Sequence, residues 1–228
     1  MLRPLFSDRR DAGRRLATAL KSYRTSRPIV LALPRGGVPV GFEVAKALAA
    51  PLDVLLVRKI GAPGHEELGL GAVVDGHDPQ LVLNEDLVRA VAPPPGYIEA
   101  EEQRQLAEIE RRRQEYVGNR TPVAVEGRTV IVVDDGIATG ATVKAALRGL
   151  ARNGPARLVL AVPVAPADTV EELSADCDEL VCLATPDPFY AVGPHYGDFR
   201  QTEDAEVVRL LAEARQWSTV EPSTPAPG

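Results

Sequence analysis

The sequence predicts an α/β fold built on a doubly wound, mainly parallel, Rossmann-like sheet, with a flexible loop or hairpin insertion and a small hood. Three observations carry this expectation. Short apolar runs rich in β-branched residues alternate with helical patterns, as in parallel strands joined by crossover helices. Only about five such runs belong to the core, too few for an eight-stranded barrel. Two of them end in glycine-containing turns that lead straight into helices, at Pro34-Arg35-Gly36-Gly37 and at Asp134 to Thr142.

In chain order, Ala12, Leu16, Ala19, Leu20 and Tyr23 recur at helical spacing, so residues 8–23 read as an amphipathic helix with Ser7 as its N-cap. Arg27-Pro28 ends it, and Ile29 to Leu33 reads as a buried strand followed by a helix from about Val38 to Ala49. A second strand, Leu52 to Val57, closes on Arg58-Lys59. Ile60 to Gly76 is glycine-rich and reads as a mobile loop, and Gly71 to Asp75 with Gln80 to Leu83 as a hairpin. Asn84 starts a short helix, Pro93-Pro94-Pro95-Gly96 breaks it, and Tyr97 to Val117 forms a long charged helix. Its Arg111-Arg112-Arg113 run, interleaved with Glu108, Glu110 and Glu115, reads as a solvated face rather than a nucleic-acid site.

Val130 to Val133 is the next strand, and Ala141 to Asn153 a helix stopped by Gly154-Pro155. Arg157 to Val164 is a further strand, Asp168 to Ala175 a helix, and Glu179 to Leu183 the last strand. Thr202 is expected to cap a final helix reaching about Trp217. The whole is read as one domain over 1–217, with its core at about 28–59 and 128–185. The insertion takes about 60–127 and the C-terminal hood about 186–217, and the proline-containing 218–228 is expected to be a disordered tail.

Composition narrows the function. Among 228 residues, 45% are hydrophobic and 25% charged, an ordinary globular balance, and the net charge of -6 argues against nucleic acid as the main partner. Cys177 and Cys182 form no metal-binding spacing and read as free thiols of a reducing compartment. The N-terminus lacks a long apolar core, and no window approaches 18 uninterrupted apolar residues. The expectation is therefore a cytoplasmic protein without a membrane partner.

The chemistry concentrates at V-I-V-V-D-D-G-I-A-T-G-A-T, residues 130–142. Asp134 and Asp135 close a buried strand, where adjacent carboxylates suit the vicinal hydroxyls of a sugar. The Gly136 to Thr142 turn can direct backbone N–H groups at a phosphate, aided by the helix dipole. At the other junction, Gly36 and Gly37 let the backbone approach a diphosphate closely and Arg35 adds charge. Phe189 to Phe199 is the densest aromatic stretch, suited either to stacking on a flat heterocycle or to a satellite core.

The segment 130–142 resembles the signature of type I phosphoribosyltransferases, which transfer the phosphoribosyl group of 5-phosphoribosyl 1-pyrophosphate (PRPP) to a nitrogen nucleophile. With P-R-G-G-V and A-V-G, the chain is similar to a bacterial group of these enzymes whose acceptor is unassigned. The resemblance implies a PRPP site of Arg35, Gly36, Gly37, Arg58, Lys59, Asp134, Asp135, Gly136, Ala138, Thr139, Gly140, Ala141 and Thr142. It also implies a non-proline cis peptide in the loop containing Arg35. Lys59, Arg35 and Asp135 are the implied catalytic residues, with Glu66 or Glu67 of the mobile loop as a candidate base. Phe189, Tyr190, Val192 and Tyr196 are candidate acceptor contacts, and Asp135 and Asp198 candidate ligands of the implied Mg2+. Hypoxanthine-guanine enzymes carry an aspartate where this chain has Ala138, which weakens a 6-oxopurine acceptor. The implied partners are PRPP and a small nitrogenous acceptor, with a homo-oligomer left open. A regulatory protein sensing PRPP or a nucleotide on the same fold is the alternative, and a dinucleotide oxidoreductase is disfavoured by the missing G-x-G-x-x-G.

Overall fold

A computed structural model of the chain describes residues 4–217; the tail expected at 218–228 lies outside the described residues. Five parallel strands form the central sheet in the order β2-β1-β6-β7-β8, where β1 is Ile29–Ala32, β2 Leu52–Val54, β6 Thr129–Val133, β7 Arg157–Val164 and β8 Glu179–Ala184. Every neighbouring pair is parallel. Alternation along β6 serves two cores, since successive side chains leave opposite faces of a strand. Ile131 and Val133 pack with Leu16 of α1 (Arg9–Ala19) and its C-cap Leu20, Val38 and Phe42 of α2 (Gly37–Leu48) and Leu210 of α7 (Asp204–Ala214). Val130 and Val132 pack with Val143, Leu147 and Leu150 of α5 (Ala141–Arg152) and Leu173 of α6 (Ala167–Ser174). Both faces are thus covered, which explains why these strands read as continuous apolar runs.

Strand order reverses between β1 and β6: the chain proceeds outward from β1 to β2 on one side and from β6 to β8 on the other. In open α/β sheets a crevice opens at the carboxyl ends of the two strands flanking such a reversal. Here those ends are Pro34-Arg35-Gly36 and Asp134-Asp135.

A second, antiparallel sheet, β3-β4-β5 (Val57–Ala62, His65–Val74, Gln80–Leu83), forms a flap. Two expectations are corrected there. The strand read over Leu52 to Val57 ends at Val54, because Asp75 N–H donates to the Leu56 carbonyl at 2.8 Å and Val57 pairs with Val74 instead. Arg58 and Lys59 therefore lie within the flap, not at the edge of the parallel sheet. The segment read as a mobile loop, Ile60 to Gly76, is mostly the β3–β4 hairpin, turning at Pro63-Gly64 and bulged at Gly61.

α3 (Glu85–Val91) is capped by Asn84 as expected, and α4 spans Tyr97–Val117. Arg111 and Arg112 share Glu108 on the exposed face, and their hydrogen bonds pull its carboxyl down to about 2. Arg113 departs from the solvated reading: it is 4% exposed and reaches Asp53 at 3.0 Å and Asp75 at 2.7 Å. It ties α4 to the sheet and to the flap at once. At the termini, the N-cap of α1 is Asp8 rather than Ser7, its carboxylate accepting from Asp11 N–H at 2.8 Å. α7 starts after Glu203, and Thr202 is buried beneath it instead of capping.

Candidate active site

The two junctions flanking the strand reversal are packed into one mouth. Leu33 N–H donates to the Val133 carbonyl at 2.9 Å, extending the β1–β6 ladder to the brink of both loops. A Cβ on Gly36 would lie 2.0 Å from Asp135 Oδ2, and one on Gly37 would lie 2.7 Å from the Val133 carbonyl. Glycine is thus required by contact at both positions, and Gly36 has ordinary helical torsions, φ −61° and ψ −34°. The Pro34–Arg35 peptide is cis, as the resemblance implies.

Beyond Asp135 the chain turns through Gly136 and Ile137, whose N–H is spent on the Val164 carbonyl. Ala138, Thr139, Ala141 and Thr142 are exposed. Gly140 sits at φ 74°, a left-handed torsion that favours glycine, and no side chain caps α5. Lys144 N–H to the Gly140 carbonyl is the first helical bond, so the amides of the preceding turn have no intrahelical acceptor. That arrangement can receive an anion.

Burial pushes both carboxyls of the pair upward, Asp134 strongly because the Asp135 charge adds to it. Asp135 is raised less, since the Arg9 guanidinium beside it favours the ionised form. Arg9 Nε donates to Asp135 Oδ2 at 2.7 Å, and Asp134 Oδ1 accepts from the Asp135 N–H at 2.8 Å. The negative charge of the pair thus settles on Asp135. Arg35 is also held: Asp204 Oδ2 lies 3.5 Å from its guanidinium, and the Gln201 amide, turned so that its oxygen faces the guanidinium, accepts from it. Tyr116 donates in turn to Asp204 Oδ1 at 2.6 Å, and its hydroxyl is pushed up to about 12 by burial and then by that bond.

The flap faces the phosphate-type turn. Lys59, Gly69 and Ala72 line a cleft of about 760 Å³ together with Ala141, Thr142 and Lys144. Lys59 Nζ lies 3.1 Å from Glu67 Oε2, and Arg58 Nε donates to Gln105 of α4 at 3.1 Å. Glu66 and Glu67 are exposed on β4. On the hood, Phe189 stacks on His195, and Tyr196 stacks on Phe199 and packs on Phe6. Tyr196 is buried, and its hydroxyl donates to the Asp135 carbonyl. Tyr190 is 82% exposed, and Val192 covers Gly136. Most of the aromatic stretch is therefore the satellite core, completed by Phe6, while Tyr190 stands free of it.

Residues 8–197 match the family described as Phosphoribosyl transferase domain. The chain belongs to that family. Two Mycobacterium tuberculosis proteins, from strains CDC 1551 / Oshkosh and ATCC 25618 / H37Rv, carry provisional phosphoribosyl transferase names and are 49% identical to it over 212 residues. That alignment takes in 93% of this chain and 47% of theirs, so the chain spans about half the length of these curated relatives. The crystal structure of TT1426 from Thermus thermophilus matches with a TM-score of 0.80 at 46% identity, covering 91% of this chain and 98% of that one.

In this phosphoribosyl transferase domain, Arg9, Gln201, Asp204 and Tyr116 were not legible as site residues. Arg9 lies 126 positions from Asp135, and nothing in R-R-D-A-G announces its partner. The acidic side chains do not fit a protein-held magnesium ion. Asp135 gives one oxygen to Arg9, and Asp198 is bound by Arg200, which pulls it down to about 2. Among the described residues no three His, Cys, Asp or Glu side chains converge as a metal cage. No helix among them is long and apolar enough to cross a membrane.

Proposed function

We propose that this protein transfers the phosphoribosyl group of PRPP to a nitrogen acceptor, a nucleobase, with release of pyrophosphate. The observation that carries the reading is the contact of the two junctions, Gly36 against Asp135 and Gly37 against the end of β6, beside an uncapped, open turn at 138–142. It supports a reading in which a diol acceptor, a phosphate cradle and a cationic loop share one mouth. Asp134 and Asp135 take the ribose hydroxyls. The turn from Gly136 to Thr142 takes the 5-phosphate. Arg35, the Gly36-Gly37 backbone, Arg58 and Lys59 face the pyrophosphate.

In the transfer, the bond from C1 to the pyrophosphate oxygen breaks, and pyrophosphate leaves with the electron pair. The acceptor nitrogen bonds to C1 and gives up its proton. Glu66 or Glu67 on the flap is the proposed base, and Lys59 neutralises charge on the departing oxygens. Tyr190 and the neighbouring Val192 are proposed to meet the acceptor, the former by stacking. Magnesium, when carried in with PRPP, would supply charge neutralisation for the departing pyrophosphate.

The test is pyrophosphate release from PRPP and Mg2+ across a panel of purine and pyrimidine bases. Asp135→Asn and Lys59→Ala are expected to lower turnover by ~100-fold or more without unfolding the protein. Wild-type rates in both variants would remove the proposed site. PRPP binding without turnover for any base would favour a sensor on the same fold.

A further inference from the structure

Arg9 belongs to an N-terminal helix, yet its guanidinium sits at the sugar end of the mouth. Its side chain is only 12% exposed, and three contacts from separate parts of the chain hold it. Nε donates to Asp135 Oδ2 at 2.7 Å. One terminal nitrogen donates to the Arg200 carbonyl at 2.7 Å. The plane lies over the Phe199 ring, with Cζ 3.9 Å from the centroid. Phe199 is itself fixed by stacking on Tyr196, whose hydroxyl returns to the Asp135 carbonyl. The loop around Asp135 is thus gripped twice from the hood, at its carboxylate through Arg9 and at its backbone through Tyr196.

The neighbouring arginine does something different. Arg10 pairs with Glu43 of α2 at 2.9 Å, and its guanidinium lies 5.1 Å from the Phe42 centroid. It joins two helices and touches no residue of the mouth. Contact with Asp135 is therefore specific to Arg9 and not a general property of the basic start of α1.

We propose that Arg9 is a positioning residue for the sugar carboxylate: by taking Oδ2 of Asp135 it fixes the other oxygen, Oδ1, as the acceptor for a ribose hydroxyl. The inference rests on the PRPP reading given above. Oδ2 is also the oxygen nearer Gly36, 2.0 Å from the position of a Cβ there against 3.1 Å for Oδ1, which leaves Oδ1 the more open of the two. A buried carboxylate stripped of its charged partner is costly, and its affinity for a diol falls with its ionisation and its orientation. The Phe199 face and the Arg200 carbonyl hold Arg9 independently of Asp135, so it stays in place when sugar arrives. Arg9 thereby links the N-terminal helix and the hood to the first step of binding.

The test is PRPP affinity by titration calorimetry, with thermal melting as a control. Arg9→Met keeps the stem over Phe199 and removes the donors; it is expected to weaken PRPP at least ~10-fold, a loss of one buried charge-assisted bond. Arg9→Lys should recover part of that loss, and Arg10→Met should leave affinity unchanged. In turnover assays the Arg9→Met effect is expected in KM for PRPP more than in kcat. Unchanged or tighter PRPP binding by Arg9→Met would overturn the proposal, the latter by making Arg9 a competitor for the carboxylate. No PRPP binding by the wild type would overturn the PRPP reading itself. Retained wild-type binding with an indifferent Arg9 overturns only the positioning role.

Discussion

Gly36→Ala is expected to weaken PRPP binding by ~100-fold or more while the melting temperature stays within about 4 °C of the wild type. The added Cβ would sit 2.0 Å from Asp135 Oδ2, which no real contact tolerates. Gly36 has φ −61°, so alanine meets no backbone penalty there, and the clash must be relieved by moving the carboxylate. That movement breaks the Arg9 pair and turns the acid out of the mouth. The cost therefore falls on the site, and the share that reaches the fold is limited because the displaced carboxylate turns toward water and is not left stranded in the interior. Gly37→Ala is the contrasting case, because its Cβ would meet the Val133 carbonyl at 2.7 Å and Asp134 Cα at 3.0 Å. A strand would have to shift, and stability should fall together with binding. Calorimetric titration of PRPP beside circular-dichroism melting checks both. Wild-type affinity in Gly36→Ala would mean that the position of Asp135 is irrelevant to the sugar.

The second large effect concerns the fold. Arg113→Met should cost about 3–5 kcal/mol, because it leaves two buried carboxylates, Asp53 and Asp75, without their shared cation. At this chain length the melting temperature drops on the order of 10 °C. A pH dependence accompanies the loss. The Asp75 carboxyl is already raised by burial, and Arg113 opposes that shift. Without the guanidinium the folded value rises further above the unfolded one. The native state then binds more protons than the unfolded state, and stability falls as pH rises from about 4 through the folded value. Acidifying the variant from about pH 8 to 5 should recover part of the loss. An equal deficit at both pH values would show that the carboxylates are not the source. Combining Arg113→Met with Asp75→Asn should restore part of the stability relative to the single variant, since Asp75 is the carboxylate left without a cation while Asp53 keeps Arg120 at 3.7 Å.

What the sequence made legible, and what it did not, follows from the reach of each signal. The core strands were readable because both faces of the sheet are covered, which forces unbroken apolar runs such as Val130 to Val133. The Asp134 to Thr142 turn was readable because its parts are adjacent in the chain. The flap was misread because glycine has two causes. At Gly61 a Cβ would stand 2.7 Å from Glu66 Cα, and at Gly71 it would stand 2.3 Å from the Val82 carbonyl. These glycines let strands approach, and composition alone gave the same signal as a mobile loop. Arg113 and Arg9 escaped for a different reason. Their partners are up to 60 and 126 residues away, and periodicity reports only which face of a helix is apolar. In the aromatic stretch, local content did not separate a stacking platform from a satellite core. The decision came from Phe6, nearly two hundred residues upstream.

The hydrogen bond from Arg9 to the Arg200 carbonyl closes a loop of 191 residues. On the ribosome, at roughly 5–20 residues per second, the first helix emerges about 10–40 s before the carbonyl that completes its guanidinium's surroundings. During that interval Asp134 and Asp135 are synthesised and β6 can join the sheet, but the sugar carboxylate still lacks the hood that grips it. On the PRPP reading proposed above, a nascent chain lacks full affinity until Phe199 and Arg200 have closed around Arg9. Chains truncated before Asp198 should, on that reading, bind the ligand more weakly than chains that include residues 198–200.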